Sequence, residues 1–161
     1  MHYYIDGYNL LFRIFEDINP LREKRETVIE TLQTTLSDVK LKLSIVFDSR
    51  FELSEDFPTR LSRGSLEIIY SPKGLCADKY IIELLSFVKH PKATTVVTSD
   101  NHLALEVKAL GAKTKSIDEF LEYLSRKRDA KFQRDEKTTS ETPYDFERLL
   151  NAFEKKLRDD D

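Results

Sequence analysis

Tyr3-Tyr4-Ile5-Asp6-Gly7-Tyr8-Asn9 is the stretch whose reading decides the fold. His2 to Ile5 is aromatic and β-branched enough to form a buried strand, whereas Gly7 and Asn9 let a chain leave a strand sharply. Asp6 then stands at the strand's C-terminal tip. In open parallel α/β sheets that tip faces the ligand crevice, so other acids that reach the same edge become the object of the search.

Outward from this strand, Leu10 to Phe15 is apolar and is expected to pack the turn. Asn19-Pro20 reads as a helix start with Asn as the cap. Val28, Ile29, Leu32, Leu36 and Val39 then recur at helical spacing, which predicts one buried face and leaves Arg22, Lys24, Arg25 and Glu26 in water. Leu43 to Asp48 reads as a second buried strand that also ends in an aspartate. Ser49 to Arg63, interrupted by Pro58, is expected to be irregular with one short helix. Ser65 to Tyr70 is a third strand, followed by a loop to Cys76 and a helix marked by Ile81, Leu84, Leu85 and Val88, which Pro91 ends.

Ala93 to Thr98 is a fourth strand, leading through Ser99-Asp100 into a helix with Leu103, Ala104 and Val107 inward, closed by Gly111. Ala112 to Ser116 is a fifth strand, and Ile117 to about Arg128 a helix with Phe120, Leu121 and Leu124 inward. This alternation implies an α/β domain over residues 1–128, with a central, mostly parallel five-stranded sheet flanked by helices on both faces. Residues 129–141 are polar and charged, a linker or a solvated helix extension. Over 142–161, Phe146, Leu149, Leu150, Phe153 and Leu157 make a C-terminal amphipathic helix before an acidic tail, and this helix is a candidate dimer or partner contact.

A chain of 161 residues suits one domain with an appendage. Its charges are abundant, at 34%, but nearly balanced at a net of -3, which argues against a general basic coat and leaves room for a local basic groove. A single cysteine, Cys76, excludes an intrachain disulfide and a cysteine zinc cage. That, with no leader-like start and no apolar run near the roughly 20 residues of a membrane span, leads to the expectation of a cytoplasmic protein. The four glycines form no phosphate-binding loop, so dinucleotide and P-loop fingerprints are absent. His2, His90 and His102 are scattered and carry no assigned role.

Asp78 and Asp100 each open a helix just after a strand and its loop. Both lie in register with the apolar faces of those helices, Asp78 with Ile81, Ile82 and Leu85, Asp100 with Leu103, Ala104 and Val107. Either alone is explained as a helix cap. Capping does not explain two strand-end acids, so Asp6, Asp78 and Asp100, with Asp48 as the weakest member, are read as one acidic constellation. Such a cluster raises its own pKa values unless a cation is shared, and oxygen-only ligands select a hard ion, Mg²⁺ or Mn²⁺. An ion of that kind activates water and binds a scissile phosphate, the chemistry of phosphodiester hydrolysis. Asn9 is a turn residue or an adjunct that orients water or phosphate.

Ile5-Asp-Gly-Tyr-Asn9, Val46-Phe-Asp48, Ala77-Asp78 and Val97-Thr-Ser-Asp100 resemble the ordered motifs of the YacP-like NYN domains, which belong to the PIN-like nucleases. The resemblance spans roughly Met1 to Arg128. It implies a PIN-like fold and a divalent-metal-dependent endoribonuclease acting on single-stranded RNA, with some members cleaving mRNA on the ribosome. Asp6, Asp78 and Asp100 match the family's acids, with Asp48 and Asn9 as adjuncts. Cys76 stands where a hydroxyl residue is usual. Arg50, Arg60, Arg63, Lys73 and Lys79 are the expected RNA contacts near the acidic edge, joined by Lys127 and Lys131 if the last helix extends. The alternative is a non-catalytic RNA- or ribosome-binding adaptor on the same scaffold.

Overall fold

β1 (His2–Asp6) runs through the middle of the sheet, hydrogen-bonded in parallel to β2 (Lys42–Phe47) on one side and β5 (Thr94–Val97) on the other. The computed structural model describes residues 1–49 and 60–135. The expected helix over 142–161, the linker beyond residue 135 and Arg50 lie outside the described residues. With β3 (Arg60–Arg63), β4 (Leu66–Tyr70) and β6 (Lys113–Lys115), the strand order is β3-β4-β2-β1-β5-β6.

The sheet therefore has six strands among the described residues, not five. Arg60–Arg63, in the stretch expected to be irregular, pairs antiparallel with β4 through a tight turn at Gly64, whose φ of 64° suits glycine. This edge strand escapes a reading by alternation because Arg60, Leu61 and Ser62 are all exposed.

Alternation along β1 makes two cores. Tyr3 and Ile5 pack with α1 (Gly7–Ile14), α2 (Leu21–Ser37) and α5 (Ile117–Asp135) on one face. Tyr4 faces the other way, with Val46, Ile69 and Val96, against α3 (Ala77–Ser86) and α4 (Asn101–Ala109). The result is the three-layer α/β arrangement read from the chain.

Three local features differ from expectation. The segment after β1 is a helix rather than a packed turn, with Leu10, Leu11 and Ile14 on its buried face. Pro20, not Asn19, precedes α2, and Asn19 instead donates its backbone N–H to Asp17 at 3.0 Å. α5 runs past Arg128 to Asp135, the helix extension that is one of the two readings of this stretch. Arg25, expected in water, is 1% exposed. Its positions three, four and seven residues ahead are Val28, Ile29 and Leu32, so helical spacing places it on the buried face whatever its charge. There its guanidinium lies over the rings of Phe47 (5.9 Å) and Tyr70 (5.7 Å), which offset part of the cost of burial.

Candidate active site

The central strands end at different levels but on one edge. Asp6 pairs with Val46 of β2, so Asp48 stands two residues further along the chain, just past the end of that strand; Ile5 pairs with Val97, so one more step brings Thr98 beside Asp6. Successive strands run outward from β1 through β2 to β4, and the chain then crosses to β5 and β6 on the opposite side. The tips of β1 and β5 thus flank a topological switch point, where open α/β sheets leave a crevice for a ligand.

Asp6 fills that position. It ends β1 and also caps α1, and Asn9 holds both of its oxygens: the Asn9 backbone N–H donates to Oδ1 at 3.4 Å and its side-chain Nδ2 to Oδ2 at 2.7 Å. The residue is only 7% exposed. Removal from water pushes its pKa up to about 6, with the charge of Asp78 adding to the rise and the Asn9 bonds opposing it. Gly7 follows because nothing larger fits: a Cβ there would stand 2.5 Å from the Phe47 ring.

Asp78 lies half-buried in the first turn of α3, a helix that packs on β1 and β2. Its carboxylate accepts from the Cys76 thiol, and burial together with Asp78 pushes that thiol's pKa up. The sulfur thus makes the kind of contact a hydroxyl would make. Asp100 is exposed and caps α4, with Oδ1 accepting from the backbone N–H groups of His102 (2.9 Å) and Leu103 (3.3 Å). Its own N–H donates to Thr98 Oγ1 at 3.0 Å, a contact the sequence reading missed. A Thr two residues before a capping Asp is the local signal for such a turn.

Asp48 is buried, at 5% exposure, one residue past the end of β2. Its charge raises the pKa of the Tyr8 hydroxyl, while Arg25 lowers it by charge and by a hydrogen bond; burial dominates and carries it to about 12. Asp48 thus belongs to a group with Tyr8, Arg25 and Tyr70 beneath the edge.

Among the described residues, no three His, Cys, Asp or Glu side chains gather closely enough to cage an ion. Asp6 and Asp78, close enough for one charge to act on the other, are the two carboxylates that could hold an ion between them. That fits Mg²⁺ or Mn²⁺, ions that keep several waters and take one or two carboxylates from a protein.

The expected RNA contacts divide by position. Lys73 and Lys79 are exposed on and just after the loop that leads to Asp78. Arg60 pairs across the strands with Ile69 and lies 3.8 Å from Glu67, whereas Arg63 pairs with Leu66, the first residue of β4, at the far end of the sheet, and lies 3.7 Å from Glu26. Lys127 sits over the Tyr123 ring, and Lys131 reaches Asp38 just beyond the C-terminal end of α2, 3.9 Å away. The structure therefore does not bring all of these cations to the acidic edge, because β3 and α5 run antiparallel to the central strands.

A family model described as the YacP-like NYN domain matches residues 3–159, beyond the last of the four motifs. Two solved structures of Rae1 (YacP) from Bacillus subtilis are similar to this chain. One has a TM-score of 0.67 at 25% identity and covers 99% of this chain and 96% of that one. The other, a mutant form, has a TM-score of 0.64 at 22% identity and covers 83% of this chain and 79% of that one. No curated protein matches.

Proposed function

This chain belongs to the YacP-like NYN domain family, a group with a PIN-like nuclease fold, and from that premise we propose that it is a divalent-metal-dependent endoribonuclease of single-stranded RNA. The observation that carries the reading is Asp6: a buried carboxylate at the switch point of the sheet, with its pKa raised toward 6 by burial and by a second acid. A protein gains nothing in stability from such a group. A cation site explains why it is there.

Asp6 and Asp78 would hold the ion, Mg²⁺ or Mn²⁺. When bound, it supplies Lewis acidity toward the scissile phosphate and lowers the pKa of water. Asn9 fixes the Asp6 carboxylate through both oxygens, so its orientation does not depend on the substrate. Asp100 commits Oδ1 to the α4 cap, which leaves Oδ2 outside these bonds. Lys73 and Lys79 supply positive charge beside these acids, as a phosphodiester substrate requires. Proposed cleavage leaves 5′-phosphate and 3′-hydroxyl ends; mRNA on the ribosome is the proposed cellular substrate, which places the protein in the cytoplasm. No helix among the described residues is long and apolar enough to cross a membrane.

The test is incubation of purified protein with mixed-sequence single-stranded RNA in Mn²⁺, Mg²⁺ or chelator, beside Asp6→Asn and Asp78→Asn. Internal cleavage that needs the ion and is lost in both variants is expected. Cleavage that persists in either variant or in chelator would exclude the assigned site. If RNA is bound but never cut, with or without ribosomes added, the protein is an adaptor instead.

A further inference from the structure

The other edge of the sheet carries charge of the opposite sign. The three central strands begin there side by side, with His2 paired to Lys42 on one side and to Thr94 on the other. Around these starts lies an open pocket of about 650 Å³, in the size range of ligand sites. Lys40 lines it from the lead into β2, Lys42 as the first residue of that strand, and Lys89 from the segment before β5; Leu41 and Val88 supply apolar lining. None of its lining residues is acidic, in a chain with 29 acids against 26 Lys and Arg.

All three lysines are exposed. Among the described residues, none of them has a carboxylate within ion-pair distance, while Arg60, Arg63 and Lys131 each do. Like charges brought together without a counter-ion among the described residues create a local positive potential, and the ligand they select is an anion.

Which anion follows from what else is at this edge. α2 and α3 end here, at Ser37 and Ser86, so they present carbonyl ends rather than the N–H groups that cradle a terminal phosphate. No arginine fork lines the pocket. Flexible lysines act as point charges that neutralise without fixing orientation, which suits a repeating phosphodiester better than a single nucleotide. β1 is five residues long, so this edge lies about 13 Å from Asp6 along the strand, within reach of nucleotides that flank a bound segment.

We propose that this pocket is a second RNA contact, in which Lys40, Lys42 and Lys89 take the backbone of nucleotides outside the segment held at the acidic edge. It rests on the RNA-cleaving reading above. The competing explanation is that the lysines only complement the helix ends, which would affect melting temperature and not RNA.

The experiment is a salt titration of binding by the full chain to a labelled single-stranded RNA, in chelator so that no cleavage intervenes. Wild type is compared with the triple variant Lys40→Gln, Lys42→Gln, Lys89→Gln. With about 0.7 counterions released per phosphate of a single strand, the triple variant is expected to lose about 2 from the slope of log affinity against log salt. Its melting temperature shows that it is folded. An unchanged slope overturns the proposal while leaving the RNA reading intact; wild type that binds no RNA in chelator overturns the proposal too, and the cleavage assay with the ion present decides the RNA reading. Inorganic phosphate or a nucleoside monophosphate that displaces RNA from wild type but not from the triple variant, at concentrations below those of added salt, assigns the pocket to small phosphates and also overturns it.

Discussion

At the tip of β1 a carboxylate is taken from water and set near a second one, so its ionisation opposes folding. In the unfolded chain Asp6 titrates near 3.8 and in the fold near 6. The folded state therefore binds more protons between these values, and stability falls as pH rises through the window. Above it the cost is complete, about 3 kcal/mol, since each tenfold change in proton affinity is worth about 1.4 kcal/mol. Asp6→Asn in chelator is expected to raise the melting temperature at pH 8 and to remove the decline between about pH 4 and 6, as read by thermal denaturation across pH. A variant that melts lower than wild type at pH 8 would show that the Asn9 contacts outweigh the burial cost. Much of this residue's setting was legible, because a strand ending in Asp before Gly is a local pattern. That Asn9 would hold both oxygens was not, since it depends on α1 forming.

At the scale of elements, α4 has to be separated from the chemistry at its start, because Asp100 is both a cap and a candidate participant. Asparagine caps nearly as well as aspartate, while alanine forfeits about 1 kcal/mol. Asp100→Asn is expected to keep the melting temperature and lose RNA cleavage; Asp100→Ala loses both. Equal cleavage by Asp100→Asn and wild type would reduce Asp100 to a cap. The helices with long apolar periodicity, α2, α3 and α5, were visible in the chain. α1 was not, because Gly7 and Asn9 are poor helix formers; the packing of Leu10, Leu11 and Ile14 and the Asp6 cap override their propensity. β3 was missed because an edge strand exposed along its length has no hydrophobic alternation to read.

For the whole molecule, an ion that binds only the native fold must stabilise it, by about 2.7 kcal/mol at a hundred times its dissociation constant. Mn²⁺ or Mg²⁺ is expected to raise the wild-type melting temperature and to leave that of Asp6→Asn unmoved; equal shifts in both would place the ion elsewhere. The same global view separates two charged edges that net charge hides, acids where strands end and lysines where they begin. The alternation of the long helices with five of the strands, the mostly parallel sheet and an acid at the tip of its first strand follow from the sequence alone, because each rests on local periodicity or on which residue ends a strand. The tertiary structure alone decided the rest. It buried Arg25 over two rings, brought the charge of Asp78 to act on Asp6 without a full acidic cage among the described residues, carried Arg63 and Lys131 away from that edge, and gathered Lys40, Lys42 and Lys89 at the other. These outcomes depend on the direction in which each element runs and on how residues far apart in the chain meet, and no local pattern encodes either.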